Sequence, residues 1–303
     1  MQMRRHRTSG SWFAIMAILV VLADAILWYR IFSDASSATA SHGPGIYFLN
    51  VGSGDAELID FGHGVRVLID AGPAGTAAVH ALDSISGPGD RSLALVIISC
   101  PEAGDFGGLA AIMDRYRIGA VAYGGRDASP GITAWPALLE RLASQNIPLL
   151  TLGAGDRIRA GSAGEIDILS PDYRLAQGAA VLTDTGIVAL ARVRGLNALF
   201  AADIGTAIEH ALVYRYRDAL EAELLKAPRH GAKDSTGLAL LEAASPRAVV
   251  IETGSGGLAG QPSDDVLSRI AMGTDAEVFR TDRDGTIAFF PVGERKFTAY
   301  SLP

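Results

Sequence analysis

The chain has 303 residues, 49% of them hydrophobic and 19% charged, with a net charge of −7. That length holds one large domain or two small ones with ample core. The single cysteine, Cys100, excludes an internal disulfide framework but permits an oxidising compartment, and the acidic balance speaks against nucleic acid as a partner, since no basic run offsets it.

The N-terminus reads apart from the rest. Residues 1–11 carry Arg4, Arg5 and Arg7, and an almost unbroken apolar run from Trp12 to Tyr29 follows, extended by Ile31 and Phe32. Such a run is long enough to cross a bilayer as a helix, so residues 12–32 are expected to form one transmembrane anchor. Arginines before the run, with no such cluster after it, put the N-terminus in the cytoplasm. The protein is then single-pass, the membrane is a partner, and the C-terminal part is extracytoplasmic. Asp24 interrupts the run near its outer end, where an acid reaches the headgroups. Cleavage as a signal peptide is the competing reading, with Ala38-Thr39-Ala40 as a small-residue site. The apolar core is long for a signal, and the site lies far from it. Residues 33–44, rich in Ser, Ala, Gly and His, read as a linker to a domain at 45–303.

Gly45 to Val51, Ala56 to Phe61 and Val65 to Ile69 are strand-like. The turns Gly52-Ser53-Gly54-Asp55 and Gly62-His63-Gly64 join them into an antiparallel meander. Asp70 closes the third strand. Thr76 to Ser84 predicts a short helix. Leu93 to Ile98 is apolar and rich in β-branched residues, as a buried strand is. It enters the polar loop Ser99-Cys100-Pro101-Glu102-Ala103-Gly104-Asp105, and Phe106 to Met113 starts a helical pattern. A loop between strand and helix is where α/β folds place their chemistry. Gly119 to Tyr123 is a strand and Trp135 to Gln145 a helix, with Pro136 harmless in its first turn. Pro148 to Leu152, Arg157 to Arg159 and Glu165 to Leu169 are short strands. Gly186 to Arg194 pairs with Asn197 to Ala202, and a helix runs from Thr206 to about Arg217. Ala248 to Glu252 is a strand and Ser263 to Ile270 a helix. Glu277 to Arg280 and Gly285 to Phe290 close the domain around a Thr281–Gly285 turn. Two sheets with helices outside account for this order.

Ser99 to Leu109 resembles the H-x-H-x-D-H-x-G-G-L loop of the metallo-β-lactamase-fold hydrolases, keeping Pro101, Gly107, Gly108 and Leu109. F-L-N-V-G-S-G-D-A-E-L-I-D-F and V-L-I-D-A-G-P resemble the opening of one subgroup, the hydrolase domain of ComEC-type DNA-uptake proteins, with Ser53 in place of a glutamine. A-L-F-A-A-D-I resembles L-L-x-G-D and keeps its aspartate as Asp203. Leu225-Lys226-Ala227-Pro228-Arg229-His230-Gly231 resembles L-K-x-P-H-H-G, with Arg229 replacing the first histidine. Gly260-Gln261-Pro262 resembles G-H-P. The resemblance implies a metallo-β-lactamase-like αββα sandwich after one transmembrane helix, and loops that meet at one edge.

In that family two zinc ions among histidines and a bridging aspartate activate water. Here Cys100, Glu102, Asp105, Asp203 and His230 are the remnant ligand positions, and Gly104 offers no donor. Asp105, Asp203 and His230 are the candidate catalytic residues. Each has a plainer reading. A buried thiol suits Cys100, helix-start acids suit Glu102, Asp105 and Asp203, and a turn suits His230. Asp70 is either a turn acid or a prop for the site's loops.

Three functions follow. The first is a binding or scaffold protein without the dinuclear centre and without a cofactor. The second is a phosphodiester or related ester hydrolase with a single hard cation, such as Mg²⁺ or Mn²⁺, on Glu102, Asp105 and Asp203 with His230 nearby. The third is an accessory partner of a DNA-uptake or secretion channel.

Overall fold

The computed structural model describes residues 43–87, 90–172, 182–254 and 260–302. The anchor expected at 12–32 lies outside them, and no helix among the described residues is long and apolar enough to cross a membrane.

The chain opens as the meander expected, with β1 (Gly45–Phe48), β2 (Glu57–Asp60) and β3 (Arg66–Ile69) pairing antiparallel in order. Then follow α1 (Ala77–Ile85), β4 (Ser92–Leu93), β5 (Leu95–Ile98), α2 (Ala103–Phe106), α3 (Leu109–Arg115), β6 (Arg117–Ile118), β7 (Val121–Tyr123), α4 (Ala134–Ser144) and β8 (Leu149–Thr151). The second half has β9 (Arg157–Arg159), β10 (Gly164–Ser170), β11 (Val188–Val193), β12 (Leu196–Phe200), α5 (Thr206–Tyr216), β13 (Leu224–Lys226), α6 (Leu238–Ala244), β14 (Ala248–Ile251), α7 (Asp264–Gly273) and β15 (Glu277–Arg280). One helical turn, α8 (Thr281–Asp284), leads to β16 (Thr286–Gly293) and β17 (Lys296–Leu302).

The first sheet has the order β17-β16-β1-β2-β3-β5-β7-β8, the second β15-β14-β13-β12-β11-β10-β9, and β4 pairs only with β6. Period-two alternation sorts the side chains. Ile46, Phe48, Ile59, Val67, Ile69 and Ile97 face a core shared with Phe200, Leu224 and Val250 of the second sheet. Tyr47, Leu58, Leu68, Val96 and Ile98 face the other way, onto the helices from α1 to α4. Leu199, Leu225 and Val249 do the same beneath α5, α6 and α7. Three apolar layers between two sheets and two helical layers make the αββα sandwich expected.

β17 is absent from the sequence reading, whose last strand in the 45–303 domain ends at Phe290. Its residues mostly alternate between exposed and half-buried along the sheet margin, with Phe297 and Ala299 packed against the core. The turn expected at Thr281–Gly285 is the helical turn α8.

The Gly107-Gly108 pair has a steric reason. A β-carbon on Gly108 would come within 2.1 Å of the Ala71 carbonyl oxygen, and one on Gly107 within 2.5 Å of the Ala74 nitrogen. Only glycine lets the loop after β5 lie this close to the turn after β3. Gly54 does the same for the turn after β1, where a β-carbon would come within 2.3 Å of the Gly104 carbonyl oxygen. These contacts clamp Asp55, Asp70 and Asp105 together.

Candidate functional site

The loops after β3, β5, β12 and β13 meet at one edge of the sandwich with the turn after β1. Lys226, the last residue of β13, is 1% exposed and points into this junction. Its Nζ lies 2.6 Å from Asp55 Oδ2. Burial works against the ammonium, but Asp55 and Glu57 outweigh it and hold its pKa well above the ordinary lysine value. Burial likewise opposes the Asp55 carboxylate, and Lys226 and His230 hold it ionised, well below the usual range.

His230 follows Pro228 in a tight turn in which Arg229 and His230 both have positive φ, at 52° and 51°. Non-glycine residues adopt this region at a cost of about 1–2 kcal/mol each. The turn carries the imidazole inward. Nδ1 lies 2.9 Å from the Glu252 carbonyl oxygen and 3.2 Å from Asp55 Oδ1, and Nε2 lies 3.8 Å from Asp203 Oδ2. The Asp55 charge raises the His230 pKa to about 9, so the ring is an imidazolium at neutral pH.

Asp203 does not cap the helix after it. α5 begins at Thr206 with Gly205 as its N-cap, and Asp203 Oδ1 instead accepts the Arg229 N–H at 3.0 Å. The Arg229 guanidinium binds Asp234 at 2.6 Å at the rim. Glu102 stands at the N-cap position of α2 without a side-chain capping bond. It is half-buried, and burial followed by the charge of Asp203 raises its pKa. Asp105 is buried, and burial together with Asp70 and Asp55 pushes its carboxyl well above the usual range. Cys100 is wholly buried, and burial with the charges of Asp105 and Glu102 raises its thiol far above the ordinary value. It stays protonated, whereas metals take the thiolate. Asp70 Oδ1 accepts the Ser99 N–H at 2.8 Å, so Asp70 props the loop after β5.

Sequence reasoning missed Asp55, Glu57, Lys226 and Glu252 as site residues. Glu252 Oε1 accepts the Ala56 N–H at 3.2 Å. Among the described residues no N–H donor reaches either oxygen of Glu57, whose carboxyl lies within hydrogen-bonding reach of that of Glu252, and burial followed by the charge of Glu252 raises its pKa well above normal.

Two sets of side chains gather donor atoms within 4.8 Å of one another, Asp55 with Asp203 and His230, and Asp55 with Asp70 and Asp105. Of the remnant ligand positions, Asp203 and His230 thus fall in one set and Asp105 in the other. Glu102 and Cys100 fall in neither.

The architecture is similar to three solved structures. YhfI from Bacillus subtilis, a metallo-β-lactamase-fold protein, is 11% identical with a TM-score of 0.52, over 80% of this chain and 99% of that one. The fold is that of the metallo-β-lactamase-fold proteins. Zn²⁺-bound PqqB from Methylobacterium extorquens is 10% identical with a TM-score of 0.50, over 80% and 99% of the two chains. Igni18, a metallo hydrolase from Ignicoccus hospitalis, is 12% identical with a TM-score of 0.53, over 82% and 99%. No family model matches the chain, and no curated protein matches it in sequence.

The metallo-β-lactamase fold implies a two-zinc centre, and the donors here do not fit one. A hydrolytic zinc takes about three protein ligands and a water. Among the described residues one imidazole reaches the junction, and its Nδ1 is already engaged with the Glu252 carbonyl. The thiol falls in neither donor set, and the acid common to both is bound to an ammonium.

Proposed function

We propose that the protein is a membrane-anchored, outward-facing metallo-β-lactamase-fold protein, akin to the ComEC hydrolase domain, that lacks the dinuclear zinc centre and serves as a binding or scaffold protein. One observation carries this reading. Among the described residues a single imidazole, His230, reaches the junction, and Lys226 already binds Asp55, the acid common to both donor sets. An ammonium has no empty orbital for substrate or water, so it neutralises the acids without supplying Lewis acidity.

A cavity of about 500 Å³ beside this junction gives a binding role a place. Its walls include Ser53, Pro73, Gly104, Phe106 and Leu138, with Arg141 among the lining residues. Accessory work for a DNA-uptake or secretion channel is the form of this reading that the V-G-S-G-D-A and L-K-A-P-R-H-G wording supports.

The second reading is a reduced hydrolase with a single hard cation on Asp55, Asp203 and His230, and the proximity of their donor atoms favours it. The full-length chain, purified in detergent with Zn²⁺ or Mn²⁺ added, separates the two. No hydrolysis of bis(p-nitrophenyl) phosphate or nitrocefin above background is expected. Hydrolysis abolished by a chelator would overturn the binding reading.

The topology has its own test. A reporter fused after Pro303 should be active only outside the cytoplasm, as the arginines before residue 12 require. Signal from a reporter that works only in the cytoplasm would refute the orientation.

A further inference from the structure

Below the histidine, the second donor set is more deeply enclosed. Asp55, Asp70 and Asp105 are 1%, 1% and 3% exposed. Asp70 Oδ1 takes the Ser99 N–H, but Oδ2 is sealed from solvent and meets no donor. Asp55 gives Oδ2 to Lys226 and turns Oδ1 to Nδ1 of His230 at 3.2 Å. An orphaned carboxylate oxygen in a dry interior is costly unless it binds a proton or a cation. Asp70 is also held at φ 56°, a strained conformation for a side-chain-bearing residue.

We propose that Asp55, Asp70 and Asp105 hold one hard divalent cation of the Mg²⁺, Mn²⁺ or Ca²⁺ class, as a structural ion that ties the turns after β1 and β3 to the loop after β5. The spacing suits it. Oxygens about 2.0–2.6 Å from a shared cation lie roughly 3–5 Å apart, and the three donors lie within 4.8 Å. The donors are all carboxylate oxygens, which select such ions over zinc.

The charges also favour it. Among the described residues the buried acids Asp55, Glu57, Asp70, Asp105 and Glu252, with Asp203 beside them, outnumber the cations Lys226 and His230. A dication among three of the acids offsets part of that excess negative charge. The orphaned Oδ2 of Asp70 is the oxygen that a cation would satisfy, and the Lys226 bond to Asp55 Oδ2 stays intact. This set shares Asp55 with the Asp203-His230 set but uses neither Asp203 nor His230 as a ligand.

The test uses the full-length chain, stripped with EDTA, desalted and titrated with Mn²⁺, with Mg²⁺ and Ca²⁺ as competitors. About one Mn²⁺ per chain should bind, with a rise in Tm of several degrees. Asp70→Asn and Asp105→Asn should each weaken binding by about tenfold or more, while Asp203→Asn should leave it within about threefold. If neither inner variant folds, wild-type binding together with retention in Asp203→Asn decides the matter. Absence of Mn²⁺ binding by folded wild type would overturn the site and leave the acids holding protons. So would loss of binding in Asp203→Asn with retention in Asp70→Asn, which would move the ion to the cleft. Two tightly held zinc ions per chain would instead refute the binding-protein reading, which is a separate failure.

Discussion

Replacing Lys226 by methionine should destabilise the domain by about 3–5 kcal/mol, the cost of stripping one partner from a buried ion pair. Methionine nearly conserves the volume at the end of β13, so cavity formation contributes little. What remains is Asp55, 1% exposed, without its ammonium and beside Glu57 and Glu252. Asp55→Asn should also destabilise, because it leaves the ammonium unpaired. The Lys226→Met, Asp55→Asn double variant should recover much of the loss, with a coupling of about 2 kcal/mol or more. Urea unfolding measures all three, through the midpoint at unchanged slope. A single Lys226→Met variant within about 0.5 kcal/mol of wild type would mean the lysine does not hold the junction together.

His230 should make stability fall between about pH 6.5 and pH 9. Its folded pKa is raised to about 9 from an ordinary value of 6.5, chiefly by Asp55. A raised histidine stabilises the fold fully below its unfolded pKa and loses that contribution as pH climbs through the folded value. The shift corresponds to about 3 kcal/mol across that window. The measurement is a set of urea unfolding curves of chelator-treated protein at several pH values, read against His230→Gln. The variant should lack most of the slope. Equal slopes for the two proteins would show that His230 is neutral at pH 7, and so free to act as a metal ligand.

The two-sheet fold was legible because strands buried on both faces read as continuous apolar runs between glycine turns, as Gly45–Phe48 and Leu95–Ile98 do. In the folded strand Ile46 and Phe48 alternate with Tyr47 between the two faces. The site was legible only where residues matched motif positions, which brought out Asp105, Asp203 and His230 but not Lys226 or Glu252. The same alternation held the missing information. Lys226 is in phase with Leu224, Glu252 with Val250, and Glu57 with Ile59, and all three apolar partners face the core between the sheets. Charged residues in phase with a buried face at strand ends are a signal for a buried ion cluster. Asp55 gave no such signal, because a turn acid between glycines reads as solvated. Only the tight packing of Gly54 against Gly104 buries it. The signal for β17 was present but not read: Phe297, Ala299 and Leu302 fall on its half-buried positions, as in an edge strand with one face on the core.

The most direct test of the account is the zinc content of the full-length chain, purified without chelator from zinc-supplemented cells and measured by elemental analysis against protein concentration. Well under one zinc ion per chain is expected, because Lys226 and a charged His230 already neutralise the shared acid and the donors for two metals are missing. About two zinc ions per chain, surviving desalting, would contradict it.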